Sequence, residues 1–374
     1  MSSKLFSPLK IRDTNLSNRV VISPMCQYSA VDGIPSDWHF LHLGSLSASG
    51  AGLLIIEATG VEEIGRITLG CPGLYNNHQE AAFTKIVQVC KKYGGSMIGL
   101  QLAHAGRKAS TARPWEGAKP LTKSDGAWET IGPSAMPFDE GWHHPKSMNR
   151  LDMDRVCDAF VKSTERCIRM GIDLIEIHMA HGYLLSQFLS PIANQRNDEY
   201  GGSIENRVRF PLEVFTAVRS AWPDHKGLGA RISATDWEEH GWTSDDSVFF
   251  ANSLKEQDCD FIVCSSGGNI STRPPVANLG QGYQVPLASK VKTETGMTTM
   301  AVGMIRDPQY AEELISAKKA DLVAIARGFL YEPGWTHRAA EELGGQIFYP
   351  NQYKRAMPEN WSRAFPNRQK NAAE

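Results

Sequence analysis

Short β-rich runs alternate with amphipathic helical stretches eight times along the chain, and this alternation constrains the fold more than any other feature. Residues 19–23 precede a helical pattern over 39–49, 53–57 precede 79–93, and 97–101 precede, after a long loop, 152–170. The series continues with 174–178 before 205–221, 228–233 before 244–257 and 261–265 before 285–294. It ends with 299–302 before 308–317 and 322–326 before 334–343. Strands such as Leu53-Leu54-Ile55-Ile56 are near-continuously apolar, which implies burial on both faces and a parallel sheet covered by helices. Eight such pairs predict an α/β protein, a (β/α)8 TIM barrel. At about 47 residues per pair the chain exceeds a bare barrel, so insertions take up the excess. A doubly wound open sheet is the rival, weakened because no G-x-G-x-x-G follows the first strand.

The chain reads as a single barrel domain over 1–374, with a C-terminal tail from about 345. Residues 105–150, after the third strand, form a long insertion carrying Trp115, Trp128 and Trp142. A loop of that length inside a compact domain is usually functional, and it is expected to be a lid over the barrel mouth. Lys and Arg number 39 against 41 Asp and Glu, a net charge of −2. Without a broad basic face, neither nucleic acid nor an anionic membrane is an expected partner. No signal core is visible near the start, and the longest apolar runs fall far short of the ~20 residues that span a bilayer. Seven cysteines, with no C-x-x-C pair, suit neither a disulfide framework nor a zinc site. A cytoplasmic location is expected.

Barrel chemistry gathers at the C-terminal ends of strands. The first strand there ends in Ser23-Pro24-Met25-Cys26-Gln27-Tyr28, the second in Glu57-Ala58-Thr59, and the third in Gln101 through His104 to Arg107 and Lys108. The fourth ends in His178-Met179-Ala180-His181-Gly182-Tyr183, the fifth carries Arg231, and the last two end in Gly303 and Ala326-Arg327-Gly328. Glycines and an arginine after strands seven and eight suit a phosphate, whose oxygens backbone N–H groups approach there. His178 and His181 have three readings. One is a core histidine satisfied by backbone. Another is a metal pair, for which zinc needs a third protein ligand. In the third, two neutral imidazoles grip a developing oxyanion with Tyr183 nearby as proton donor. Cys26 alone reads as a small buried hydrophobe. Arg107 and Lys108 could meet substrate or a nicotinamide phosphate, or simply solvate the lid.

Taken together, the runs 23–28, 101–108 and 178–185, with 188–196 and 198–207, resemble the Old Yellow Enzyme family over nearly the whole chain. The pair Cys26 and Tyr28 resembles its thermophilic-like bacterial branch, the xenobiotic reductase or NADPH dehydrogenase type. The resemblance implies non-covalent FMN in a (β/α)8 barrel, reduction by NADPH or NADH, and hydride transfer to small activated alkenes. It implies that Ser23, Pro24, Met25 and Cys26 line the flavin, with Ala58 and Gln101 against the ring system. Arg231 then stands beside its N1/O2 edge, while Gly303, Ala326 and Arg327 hold the phosphate. Ala326 departs from the pattern, since many relatives have glycine there. His178 and His181 match the substrate-binding pair, Tyr28 and Tyr183 the substrate-facing tyrosines, with Tyr183 as proton donor. Cys26 is implied to tune the flavin, and no metal is implied. Relatives in this branch form dimers, or dimers of dimers, in which a C-terminal arginine enters the neighbouring site, and Arg355 stands in the similar position. The rival functions are a metal-dependent TIM-barrel hydrolase and a non-catalytic flavin-binding protein.

Overall fold

A computed structural model describes residues 3–271 and 279–365. The chain opens with an antiparallel hairpin, β1 (Leu9–Ile11) and β2 (Thr14–Leu16). Then come β3 (Val20–Ile22), β4 (Leu53–Gly60) and β5 (Met97–Ala103), followed by a short pair in the insertion, β6 (Ile131–Gly132) and β7 (Lys146–Ser147). The remaining strands are β8 (Leu174–Met179), β9 (Gly227–Ser233), β10 (Phe261–Ser265), β11 (Thr298–Ala301) and β12 (Leu322–Ile325). Strands β3, β4, β5, β8, β9, β10, β11 and β12 close in that order into a barrel, every neighbour parallel. The (β/α)8 expectation holds.

Strand side chains alternate between two environments, as a period of two requires. Leu53 and Ile55 join Val21, Leu174, Phe261 and Met300 inside the barrel. Leu54 and Ile56 point outward into the larger layer shared with the helices. That layer is covered by α1 (Asp37–Ser47), α2 (Asn77–Tyr93), α3 (Arg150–Met170), α4 (Leu184–Leu189) and α5 (Ile204–Ala221). On the other side lie α6 (Ser244–Glu256), α7 (Val285–Thr295), α8 (Pro308–Ser316), α9 (Arg327–Tyr331) and α10 (Trp335–Leu343). Helix α3 shows why these segments are helical. The Asn149 side chain caps it by accepting from the Asp152 N–H, and Gly171 at φ +77° ends it. Met153, Val156, Phe160, Thr164, Cys167 and Met170 recur every three or four residues on its buried face. Truncating Phe160 to Ala would cost about 3–5 kcal/mol.

Four features differ from the sequence expectation. The hairpin was not anticipated; its Ile11 and Leu16 enter the interior cluster and close the barrel's N-terminal end. Helix α1 starts at Asp37, because His39 completes a capping box, its Nδ1 accepting the Ser36 N–H. Helices α4 and α9 are additional short elements. Finally, the eighth strand ends at Ile325, leaving Ala326 as the residue before α9. The insertion carries three single 3-10 turns, Gly106–Lys108, Pro114–Glu116 and Lys123–Asp125, and rests on the strand-end loop of β3. There Arg113 Nε donates to the Tyr28 carbonyl at 2.9 Å, and the Trp115 ring meets the Tyr28 ring edge-on at 5.8 Å. The tail expectation extends to 374, and its segment 366–374 lies outside the described residues. No helix among the described residues is long and apolar enough to cross a membrane.

Candidate active site

A cavity of about 500 Å³ opens at the C-terminal ends of β3, β9, β10, β11 and β12. Ser23, Arg231, Gly303, Ala326 and Arg327 line it, all residues that the strand ends single out. Ser265, Gln284 and Arg306 line it as well. Gly303 has φ +119°, and a Cβ there would come within 3.1 Å of Gln284 Nε2, so glycine suits this turn. Ala326 has φ −102°, a backbone that accepts a side chain, so its departure from glycine is accommodated. Arg327 makes no ion pair among the described residues, and Arg306 lies over the Tyr331 ring at 4.8 Å. Two guanidinium groups beside a glycine turn could hold an anion such as a phosphate there.

Arg231 supplies the floor of the cavity. It is buried, its Nη1 donates to Ser23 Oγ at 2.8 Å, and its Nε has no partner among the described residues. Burial lowers its pKa from the usual guanidinium value, and the Glu176 carboxyl works against that shift. A buried cation with an unused N–H calls for an electron-rich acceptor. Ser23, Arg231, the Gly303 turn and Arg327 could therefore hold a group such as FMN, which offers both an anionic ring edge and a phosphate. Ala58 and Gln101 stand in buried strand positions on β4 and β5.

Beside this cavity, the end of β8 and the loop after it bring His178, His181 and Tyr183 together. The imidazole centroids are 5.0 Å apart and perpendicular. The Tyr183 ring lies 5.0 Å from His178 and 6.5 Å from His181, also edge-on. The Ala180 N–H donates to His178 Nδ1 at 3.2 Å, so in the neutral ring the proton sits on Nε2. That proton faces His181 Nδ1 at 3.2 Å, and His181 Nε2 in turn meets Ser265 Oγ at 2.7 Å. Both imidazoles are neutral at physiological pH, since burial first and then the Arg231 cation hold their pKa values well below the ordinary range. His181 adopts φ +60°, and the Ser233 hydroxyl accepts its N–H at 2.8 Å. Burial likewise raises the Tyr183 phenol well above its ordinary pKa, which keeps its proton in place.

Lys108 and Arg107, whose roles the sequence leaves open, both donate to loop carbonyls. Lys108 Nζ donates to the carbonyls of His181 at 2.8 Å and Gly268 at 3.0 Å, and lies 5.3 Å from the Tyr183 ring. Burial, with the nearby Arg107, pulls its pKa down to about 7. Arg107 donates to the Asn269 carbonyl at 2.7 Å and to those of Met136 and Pro137, tying the insertion to the loop after β10. Both cations hold loops against the histidine pair.

Pro24, Met25, Cys26 and Tyr28 are half-buried along the loop leaving β3, and Tyr28 has φ +52°. The Gln27 N–H in that loop donates to the buried Glu57 carboxyl at 2.9 Å. Burial raises the Cys26 thiol well above its ordinary pKa. Arg355 lies in the exposed turn Asn351–Ala356 and does not line the cavity of this chain. Ser265, Gln284 and Arg306 were not foreseen as cavity residues. Ser265 stands at a strand end, which is a usable signal, whereas Gln284 arrives from the turn before α7 and carries none. No group of three or more His, Cys, Asp or Glu able to hold a metal occurs among the described residues.

Residues 4–346 match the model of the NADH:flavin oxidoreductase / NADH oxidase family. An NADPH dehydrogenase of Listeria innocua is 41% identical over 356 residues, covering 95% of this chain and 99% of that protein. Among solved structures, morphinone reductase aligns with a TM-score of 0.76 at 25% identity, covering 94% of this chain and 92% of that one. Morphinone reductase in complex with tetrahydroNAD aligns with a TM-score of 0.74 at 25% identity, covering 93% and 92%.

Proposed function

The chain belongs to the NADH:flavin oxidoreductase / NADH oxidase family, the Old Yellow Enzyme family, and is an oxidoreductase using FMN and a nicotinamide donor; from that premise we propose that it is an ene-reductase. Its substrates are small alkenes conjugated to a carbonyl or nitro group. FMN, when bound, supplies the hydride chemistry, taking hydride from NADPH or NADH and delivering it to the alkene Cβ.

In this reading Arg327, Gly303 and Ala326 hold the phosphate. Ser23, Pro24, Met25, Cys26, Ala58, Gln101 and Arg231 surround the ring system. A substrate oxygen competes with His181 Nδ1 for the proton on His178 Nε2, and the His178–His181 pair polarises the alkene by stabilising charge on that oxygen. Both rings are neutral, so they donate without giving up a proton. Tyr183 holds its proton through the physiological range and delivers it to Cα. Tyr28 bounds the substrate from the opposite loop under Trp115. The observation that carries the reading is the mutually perpendicular group of buried His178 with half-buried His181 and Tyr183, linked through Ser265 Oγ to the cavity.

The protein acts in the cytoplasm as one FMN-binding domain, and a homodimer or dimer of dimers places Arg355 at a neighbour's substrate pocket. The test is cyclohexenone-dependent NADPH oxidation by the wild type and by Tyr183→Phe. Loss of a positioned proton donor should lower turnover by about 10²–10⁴-fold with FMN retained. An unchanged Tyr183→Phe rate removes the tyrosine from the mechanism, and no enone-dependent oxidation in the wild type removes the ene-reductase reading.

A further inference from the structure

The barrel interior holds one carboxyl group that the chemistry above leaves unused. Glu176 on β8 is fully buried and pairs with Gln101 across the β5–β8 register. Gln101 Nε2 donates to Glu176 Oε1, while Glu176 Oε2 has no hydrogen-bond partner among the described residues. Glu176 registers with Gly229 on β9, two positions before Arg231, whose Nε is also unpartnered. Side chains from three adjacent strands thus form a buried polar layer. Arg231 connects it to the cavity through Ser23.

Two consequences follow from elementary chemistry. An amide that spends its NH₂ group on a carboxyl presents its carbonyl oxygen elsewhere, so Gln101 Oε1 is an acceptor and not a donor. A carboxyl buried near a buried guanidinium offsets its charge, because interior charges are weakly screened. Burial raises the Glu176 pKa, and the Arg231 cation opposes that rise.

We propose that Glu176 is a positioning residue for the flavin, fixing Gln101 as an acceptor toward it and offsetting Arg231, so that the flavin midpoint potential is held down. The proposal rests on the reading that FMN occupies the adjoining cavity. Reduced flavin carries the additional negative charge, so removing the carboxylate favours the reduced form. Glu176→Gln should raise the preference for reduced over oxidised FMN about tenfold, an upward shift of ~30 mV for a two-electron couple.

The experiment measures the midpoint potential of the FMN-loaded wild type, Glu176→Gln and Glu176→Asp by dye-linked reduction, together with FMN affinity in both redox states. Glu176→Asp keeps the charge and should change that preference less than twofold. Glu176→Met, uncharged and of similar length, repeats the test if Glu176→Gln does not load FMN. A wild-type potential in a loaded neutral variant overturns the proposal. So does loss of FMN from both neutral variants beside an unshifted Glu176→Asp, which makes the residue merely structural. Failure of the wild type itself to bind FMN would instead strike the reading of the cavity.

Discussion

Replacing His178 with Ala isolates one donor of the substrate site. Its ring is buried and oriented by the Ala180 N–H at Nδ1, so the group removed is a neutral Nε2–H. A hydrogen bond to a charged acceptor is worth about 1.5–3 kcal/mol. At about 1.4 kcal/mol per decade, its loss should slow flavin reoxidation by cyclohexenone roughly 10–150-fold. Binding of p-hydroxybenzaldehyde as its phenolate should weaken by a similar factor, while FMN content stays unchanged because His178 does not line the cavity. His178→Asn restores an N–H donor and should recover part of the loss. The His178 pKa is lowered, so the ring gains a proton only in acid, and no imidazole inflection should appear in phenolate affinity between about pH 6 and 8. Stopped-flow reoxidation and ligand titration across that range are the assays. Wild-type rate and affinity in His178→Ala refute the donor role, and an inflection present in the wild type but absent in the variant refutes the neutral ring.

Arg327→Ala removes a charge-assisted phosphate contact and should weaken FMN binding by about 10–150-fold; full flavin occupancy after gel filtration of the variant argues against that placement. Cys26→Ser should shift the FMN potential and alter both half-reactions without abolishing turnover, because burial keeps the thiol protonated; complete loss of activity with flavin bound would make the sulfur essential. Arg355→Ala should raise the apparent KM for enone with FMN intact, and light scattering should show an assembly. A fully active monomer rules out a shared site.

How much was legible follows from the physics of each element. Runs such as 53–57 announce a parallel strand because both of their faces are buried, and the barrel then dictates which end carries chemistry. Gly303 and Arg327 could therefore be read as a phosphate site from strand ends, whereas Ser23 and Arg231 were placed beside them only through the resemblance to the Old Yellow Enzyme family. The hairpin strands have three residues each, and α4 and α9 have six and five, too few to display a period. The role of Lys108 stayed open between substrate, nicotinamide phosphate and the lid, because the carbonyls that hold it, at His181 and Gly268, come from two other loops. Glu176 was hidden for a related reason: within an apolar strand, nothing local reveals that its partners, Gln101 and Arg231, lie on both adjacent strands.

The central claim is tested most directly by the absorbance spectrum of the purified protein under anaerobic conditions, first with NADPH and then with cyclohexenone. The account predicts a yellow protein whose flavin band bleaches with NADPH and returns on adding enone, with one enone reduced per flavin. A colourless protein that takes up no FMN would contradict it, as would a bleached flavin that enone fails to reoxidise.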